Sequence, residues 1–134
     1  MRVREAGMEA VLLPPEPIDT EAMVRWVLHH SAAVVITGGH FDIHPSHYDQ
    51  EISGRLDRVD EGRTALELAL AVACLEADHP VPGLCGGIQA LAVAAGGPPH
   101  LGIADCAPGA RQPEQPPAPP QGRHPVALPA HLLR

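Results

Sequence analysis

The sequence predicts an α/β domain in which helices cover a parallel sheet, and three observations lead there. Short aliphatic runs alternate with amphipathic stretches as far as residue 97, in the order strand, helix, strand, helix, strand, helix, which implies βαβ units. The apolar runs are continuous rather than alternating, as in strands buried on both faces. Hydrophobic residues make up 45% of the 134, yet only Trp26, Phe41 and Tyr48 are aromatic. The core is therefore built from Val, Leu, Ile and Ala.

Each element has its own signal. Residues 9–13 (EAVLL) are a short apolar run stopped by Pro14-Pro15 and read as a strand. Asp19 or Thr20 can cap the next stretch, in which Met23, Val24, Val27 and Leu28 recur at helical spacing. Residues 32–36 (AAVVI), ending at Thr37-Gly38-Gly39, predict a buried strand. Residues 40–56 form a polar loop rich in His and Asp. The spacing of Leu66, Leu70 and Ala73 predicts a helix over 61–76, in which Glu61, Arg63 and Glu67 can face water, with Asp78, His79 and Pro80 ending it. Residues 81–84 are a very short strand, Cys85-Gly86-Gly87 a turn, and 88–95 (IQALAVAA) a helix stopped by Gly96-Gly97.

Beyond Gly97 the character changes, because ten of the 16 prolines lie between Pro98 and Pro129. Proline fixes φ and lacks an N–H, so this part forms no central strand or long helix. The expected organisation is an α/β domain over 1–97, with 98–134 a Pro-rich loop or tail of the same domain.

Charge and cysteine usage narrow the function. The formal charge is −7, from 16 acidic and 9 basic residues. That argues against nucleic acid and anionic membrane surfaces as partners. No apolar run reaches the ~18–20 residues of a membrane span, and the first residues lack the apolar stretch of a signal peptide. Cys74, Cys85 and Cys106 are odd in number and without CxxC spacing, so neither a disulfide framework nor a structural zinc site is expected, and a reducing cytoplasm fits best.

The sharpest motif is Gly83-Leu84-Cys85-Gly86-Gly87, between a short strand and an Ala/Leu-rich helix. A nucleophile on a tight strand-to-helix turn needs small neighbours to relieve crowding. It sits at the positive end of the following helix, which favours an anionic sulfur, and the next N–H can face a developing oxyanion. The competing reading is a buried Cys in a Gly-rich turn. His40, His44 and His47, with Asp42 and Asp49, are a weaker motif. Three His can hold zinc, but Pro45 argues against a helix, and a solvated loop with no metal is the expectation. Cys74 reads as a small core residue and Cys106 as an incidental thiol.

The stretch from Gly83 to Gln89 resembles the nucleophile motif of class I glutamine amidotransferases, and most closely that of the gamma-glutamyl-gamma-aminobutyrate hydrolase family, peptidase C26. Ala6-Gly7 through Leu12-Leu13-Pro14-Pro15, Thr37-Gly38-Gly39-His40-Phe41-Asp42 with Pro45 and Tyr48, and Arg63-Thr64 with Glu67 and Leu70 are similar to further family segments in the same order. The resemblance implies a three-layer, flavodoxin-like parallel sheet, incomplete here. It implies Cys85 as the nucleophile that forms a thioester with a small-molecule gamma-glutamyl amide, without a cofactor. The backbone N–H groups of Gly39 and Gly86 would form the oxyanion hole, and Gly38 and Gln89 would line the substrate.

The sequence departs from the family in lacking the His-Pro-Glu segment that supplies the base, since His124-Pro125 is followed by Val126. The family's first strand is also missing. The expectation is a chain cut at both ends, a gene fragment or degraded paralogue, with impaired hydrolysis and with His100 and His124 as substitute bases to test. The alternatives are an amidotransferase subunit delivering ammonia to a synthase, or a catalytically dead fragment with at most a binding role.

Overall fold

A computed structural model describes residues 3–15, 19–52, 56, 58–99, 107 and 109. Three α-helices organise them: α1 (Thr20–His30), α2 (Glu61–Glu76) and α3 (Gly86–Ala94), with single 3-10 turns at Arg4–Ala6 and Pro45–Tyr48. Helix α2 packs against both α1 and α3. The Pro-rich part beyond residue 99, including His100, Cys106 and His124, lies almost entirely outside the described residues.

Capping sets the helix starts. The Asp19 carboxylate accepts from the N–H of Ala22 at 2.8 Å, and that of Asp60 accepts from the N–H of Arg63 at 3.1 Å. Each satisfies one of the amides that a helix start leaves unpaired. Helix α2 occupies the span that the Leu spacing predicts. It ends where Asp78 turns left-handed at φ 52° and the His79 N–H bonds back to the Cys74 carbonyl. Helix α3 stops where Gly96 takes φ 82° and the Gly97 N–H bonds the Ala92 carbonyl. It begins two residues earlier than its apolar run suggests, because Cys85 itself occupies the N-cap position.

The three strands expected of the sheet are reduced to one parallel bridge among the described residues, between Ile36 and Gly83. Segments 32–36 and 80–84 nevertheless run side by side. The Val34 N–H donates to Pro80 O at 2.9 Å, Ile36 N–H to Pro82 O at 3.1 Å, and Leu84 N–H to Ile36 O at 2.9 Å. A second bridge would need residue 82 to donate to the Val34 carbonyl. Pro82 has no N–H, so the ladder fails there. Residues 9–13 form no bridge among the described residues, and Val11 and Leu12 are exposed.

The core is aliphatic, as the composition requires. Val27, Val34, Ile36, Ile43, Leu66, Leu70, Ala71, Cys74 and Ala90 form one buried cluster. It joins α1, the 32–36 segment, α2 and α3, and so fixes the loop after Ile36 against the start of α3. Every element that carries the candidate site is anchored in that cluster.

Candidate active site

Cys85 stands between the 80–84 segment and α3 with φ 53° and ψ −113°. An L-residue in this region is strained, by on the order of 1–3 kcal/mol, and persists only where the surroundings enforce it. They do so by close approach. A methyl group on Gly87 would overlap the Ile36 carbonyl, and one on Gly83 would lie 2.6 Å from the Gly87 oxygen. The glycines two residues either side of Cys85 thus let the turn press against the neighbouring segment. Its thiol is exposed, whereas Cys74 is enclosed in the core. Burial pushes the Cys74 thiol up from its ordinary value, which makes it an inert packing residue.

The Thr37-Gly38-Gly39 loop lies directly against this turn. A methyl on Gly38 would come within 2.6 Å of Cys85 Cβ and 3.1 Å of its Sγ. A methyl on Gly86 would lie 3.7 Å from both the Gly38 Cα and the Gly39 nitrogen. Gly87 and Ile88, the second and third residues of α3, bond their N–H groups back to Leu84 O (2.9 Å) and Cys85 O (3.0 Å). The Gly86 and Gly39 N–H groups have no partner among the described residues. Cys85, Gly38, Gly39 and Gly86 are therefore brought together, with Gln89 one turn further along α3.

Three histidines of the polar loop are not brought together. His44 caps the 3-10 turn, its Nδ1 accepting from the Ser46 N–H at 3.2 Å, while His47 Nε2 pairs with Glu61 Oε2 at 2.9 Å. No group of three His, Cys, Asp or Glu side chains suited to a metal occurs among the described residues. No described His is hydrogen-bonded to Cys85, and His100 and His124 lie outside the described residues.

Comparison with known proteins bears directly on this arrangement. The peptidase C26 family model matches residues 1–132. The chain belongs to that family. Peptidase C26 membership carries the class I glutamine amidotransferase-like α/β fold, of which the described residues show the helices and a single parallel bridge. The chain is 46% identical over 100 residues to a Mycobacterium tuberculosis (strain H37Rv) protein provisionally designated glutamine amidotransferase Rv2859c, which covers 75% of this chain and 32% of that protein. It is 35% identical over 94 residues to the glutamine amidotransferase-like protein YvdE homolog of Lactococcus lactis subsp. cremoris, covering 70% and 48%. A third relative, the glutamine amidotransferase-like protein RP404 of Rickettsia prowazekii, is 35% identical over 88 residues, covering 66% and 30%. The matched stretch thus spans only 30–48% of the length of these relatives.

Within this peptidase C26 chain one pair of residues corrects the sequence reading. Their charge suggests that Arg63 and Glu67 can face water. Instead their side chains are 22% and 23% exposed and paired, with Arg63 Nε to Glu67 Oε1 at 2.7 Å. The Arg63 guanidinium also donates to the carbonyls of Thr37 (3.1 Å) and Gly38 (3.2 Å) and lies 5.3 Å from the Phe41 ring centre. At i, i+3, i+4 and i+7, Arg63, Leu66, Glu67 and Leu70 share one side of α2. The spacing itself thus sets the pair at the margin of the buried face, and only the loop 25 residues away that covers it is hidden from the sequence. No membrane-length apolar helix occurs among the described residues.

Proposed function

We propose that this domain cleaves gamma-glutamyl amide bonds by covalent catalysis through Cys85. The observation that carries the reading is the strained backbone of Cys85 at the N-terminus of α3, with the Gly39 and Gly86 nitrogens beside it. The thiolate sulfur attacks the side-chain amide carbon of the substrate. An S–C bond forms and the carbonyl electron pair moves onto oxygen. Two backbone N–H groups, from Gly39 and Gly86, stabilise that oxyanion, and removing one donor of this kind typically costs about 10²–10³-fold in rate. Collapse expels the amine, which takes up a proton, and leaves a thioester. Water then attacks the thioester, releases glutamate and restores the thiol.

Gln89 and Gly38 line the glutamyl group in this reading, and the site calls for no cofactor. The provisional designation of one relative as a glutamine amidotransferase, and of another as glutamine amidotransferase-like, favours a glutamine-type side-chain amide as donor. Hydrolysis fits the open setting of Cys85, whose exposure gives water direct access to the thioester. The base is to be sought outside the described residues, with His100 and His124 the first to replace.

The test is release of p-nitroaniline from gamma-glutamyl-p-nitroanilide, with Cys85→Ala in parallel. Release that disappears in Cys85→Ala, with glutamate formed in equal amount, supports the reading. Equal release from both proteins, or none from a folded wild type, overturns it.

A further inference from the structure

Arg63 makes contacts that a solvent-facing helix residue does not need. Its Nη2 donates to two consecutive carbonyls of the Thr37-Gly38-Gly39 loop, while its Nε donates to Glu67 on the same planar group. The guanidinium carbons of Arg63 and Arg58 sit 5.3 and 5.4 Å from the centre of the Phe41 ring. The Arg63 guanidinium is therefore held through its Nε and Nη2 groups and against the Phe41 ring.

The consequence lies in the geometry of a peptide plane. In a trans peptide the C=O and the following N–H point in opposite directions, and no cis bond occurs among the described residues. Drawing the Gly38 carbonyl toward Arg63 turns the Gly39 N–H away from α2. The Gly39 nitrogen lies beside Gly86 and the Cys85 turn. We propose that Arg63 is a positioning residue for acyl transfer, which locks the Gly38–Gly39 peptide so that its N–H faces the oxyanion formed at Cys85. With two glycines in sequence the loop has little steric resistance to a peptide flip, so an external clamp has a role that packing alone does not fill. This inference rests on Cys85 being the nucleophile.

The experiment compares two reagents at Cys85, with adducts located by peptide mass mapping. p-Nitrophenyl acetate acylates the sulfur: an S–C bond forms, an oxyanion develops, and p-nitrophenolate leaves with its electron pair, so no general acid is required. Iodoacetamide alkylates the same sulfur by displacing iodide and develops no oxyanion. Arg63→Gln is expected to slow acetylation by about 10–100-fold, short of the about 10²–10³-fold for removing an oxyanion donor outright because the N–H is misaimed rather than lost, with the alkylation rate within about twofold of wild type. Arg63→Lys, a milder change that keeps the charge without the planar fork, is expected to recover only part of the rate.

Parallel loss of both reactions would mean that Arg63 merely supports the turn, and unchanged acetylation would mean that it positions nothing. Either result overturns the proposal, as does full recovery with Lys. A wild-type Cys85 that reacts with the ester no faster than N-acetylcysteine would instead remove the nucleophile reading, and this inference with it.

Discussion

The two cysteines of the described residues show how local surroundings divide one chemistry into two roles. Cys85 is exposed on a strained turn, whereas Cys74 is wholly enclosed on the core face of α2. Burial raises the Cys74 thiol above its ordinary value of 9.0, because the apolar surroundings disfavour the thiolate. Once the pH passes that ordinary value, the unfolded chain loses a proton that the folded chain keeps. Stability rises with pH only where the unfolded state binds more protons, so here it falls. Wild type is expected to lose more thermal stability than Cys74→Ala as the pH is raised through the ordinary thiol range, with the two curves parallel at neutral pH. Identical slopes across the whole range would show that the thiol is not held neutral. Residue types and spacing make both cysteines legible, since G-x-C-x-G carries its own steric reason and Cys74 falls on an apolar helical stripe. Arg63 is legible only in part: its i, i+3, i+7 spacing with Leu66 and Leu70 puts it beside the buried face, but its partners are main-chain carbonyls that have no sequence signature.

At the scale of elements, helices are far easier to read than strands. A helix satisfies its own backbone groups and displays its buried face every three or four residues, so α2 emerges from Leu66 and Leu70 with its ends defined by Asp60 and Asp78. A strand depends on a partner far along the chain, and one proline in either segment can break the pairing. Pro80 and Pro82 accept hydrogen bonds from Val34 and Ile36 but return none. Pro82→Leu is expected to supply the missing donor to the Val34 carbonyl and extend the single bridge into a short ladder. A net hydrogen bond contributes about 0.5–1.5 kcal/mol, and losing proline's restriction of the unfolded chain offsets about 0.4–1 kcal/mol of that. The melting temperature is therefore a poor readout, and hydrogen exchange a good one. The Val34 and Ile36 amides are expected to exchange more slowly in the variant, and the amide introduced at position 82 to be protected. Unchanged exchange at Ile36 would show that Pro82 is not what limits the pairing.

For the whole molecule, the balance is between apolar exposure and net charge. Val35, Leu84 and Ile88 are 48%, 56% and 60% exposed on or beside the bridged segments, and Trp26 and Leu75 are exposed on α1 and α2. Surface of this kind on a small domain is an association site, and beside it segments 32–36 and 80–84 pair with no further strand among the described residues. Opposing this is a formal charge of −7, whose repulsion is effective at low ionic strength but confined to about 3 Å at 1 M salt, against about 10 Å at 0.1 M. Hydrophobic contact is not weakened by that screening, so salt tips the balance toward association. Light scattering coupled to size exclusion is expected to give a mass near 14.1 kDa in dilute buffer and a rising mass with added sodium chloride. Ile88→Glu, on the first turn of α3 where it joins the exposed patch, is expected to hold the monomer to higher salt. A mass independent of salt in the wild type would mean that the exposed residues are covered by other parts of the chain, and the edges of the bridged segments would then have to be paired as well.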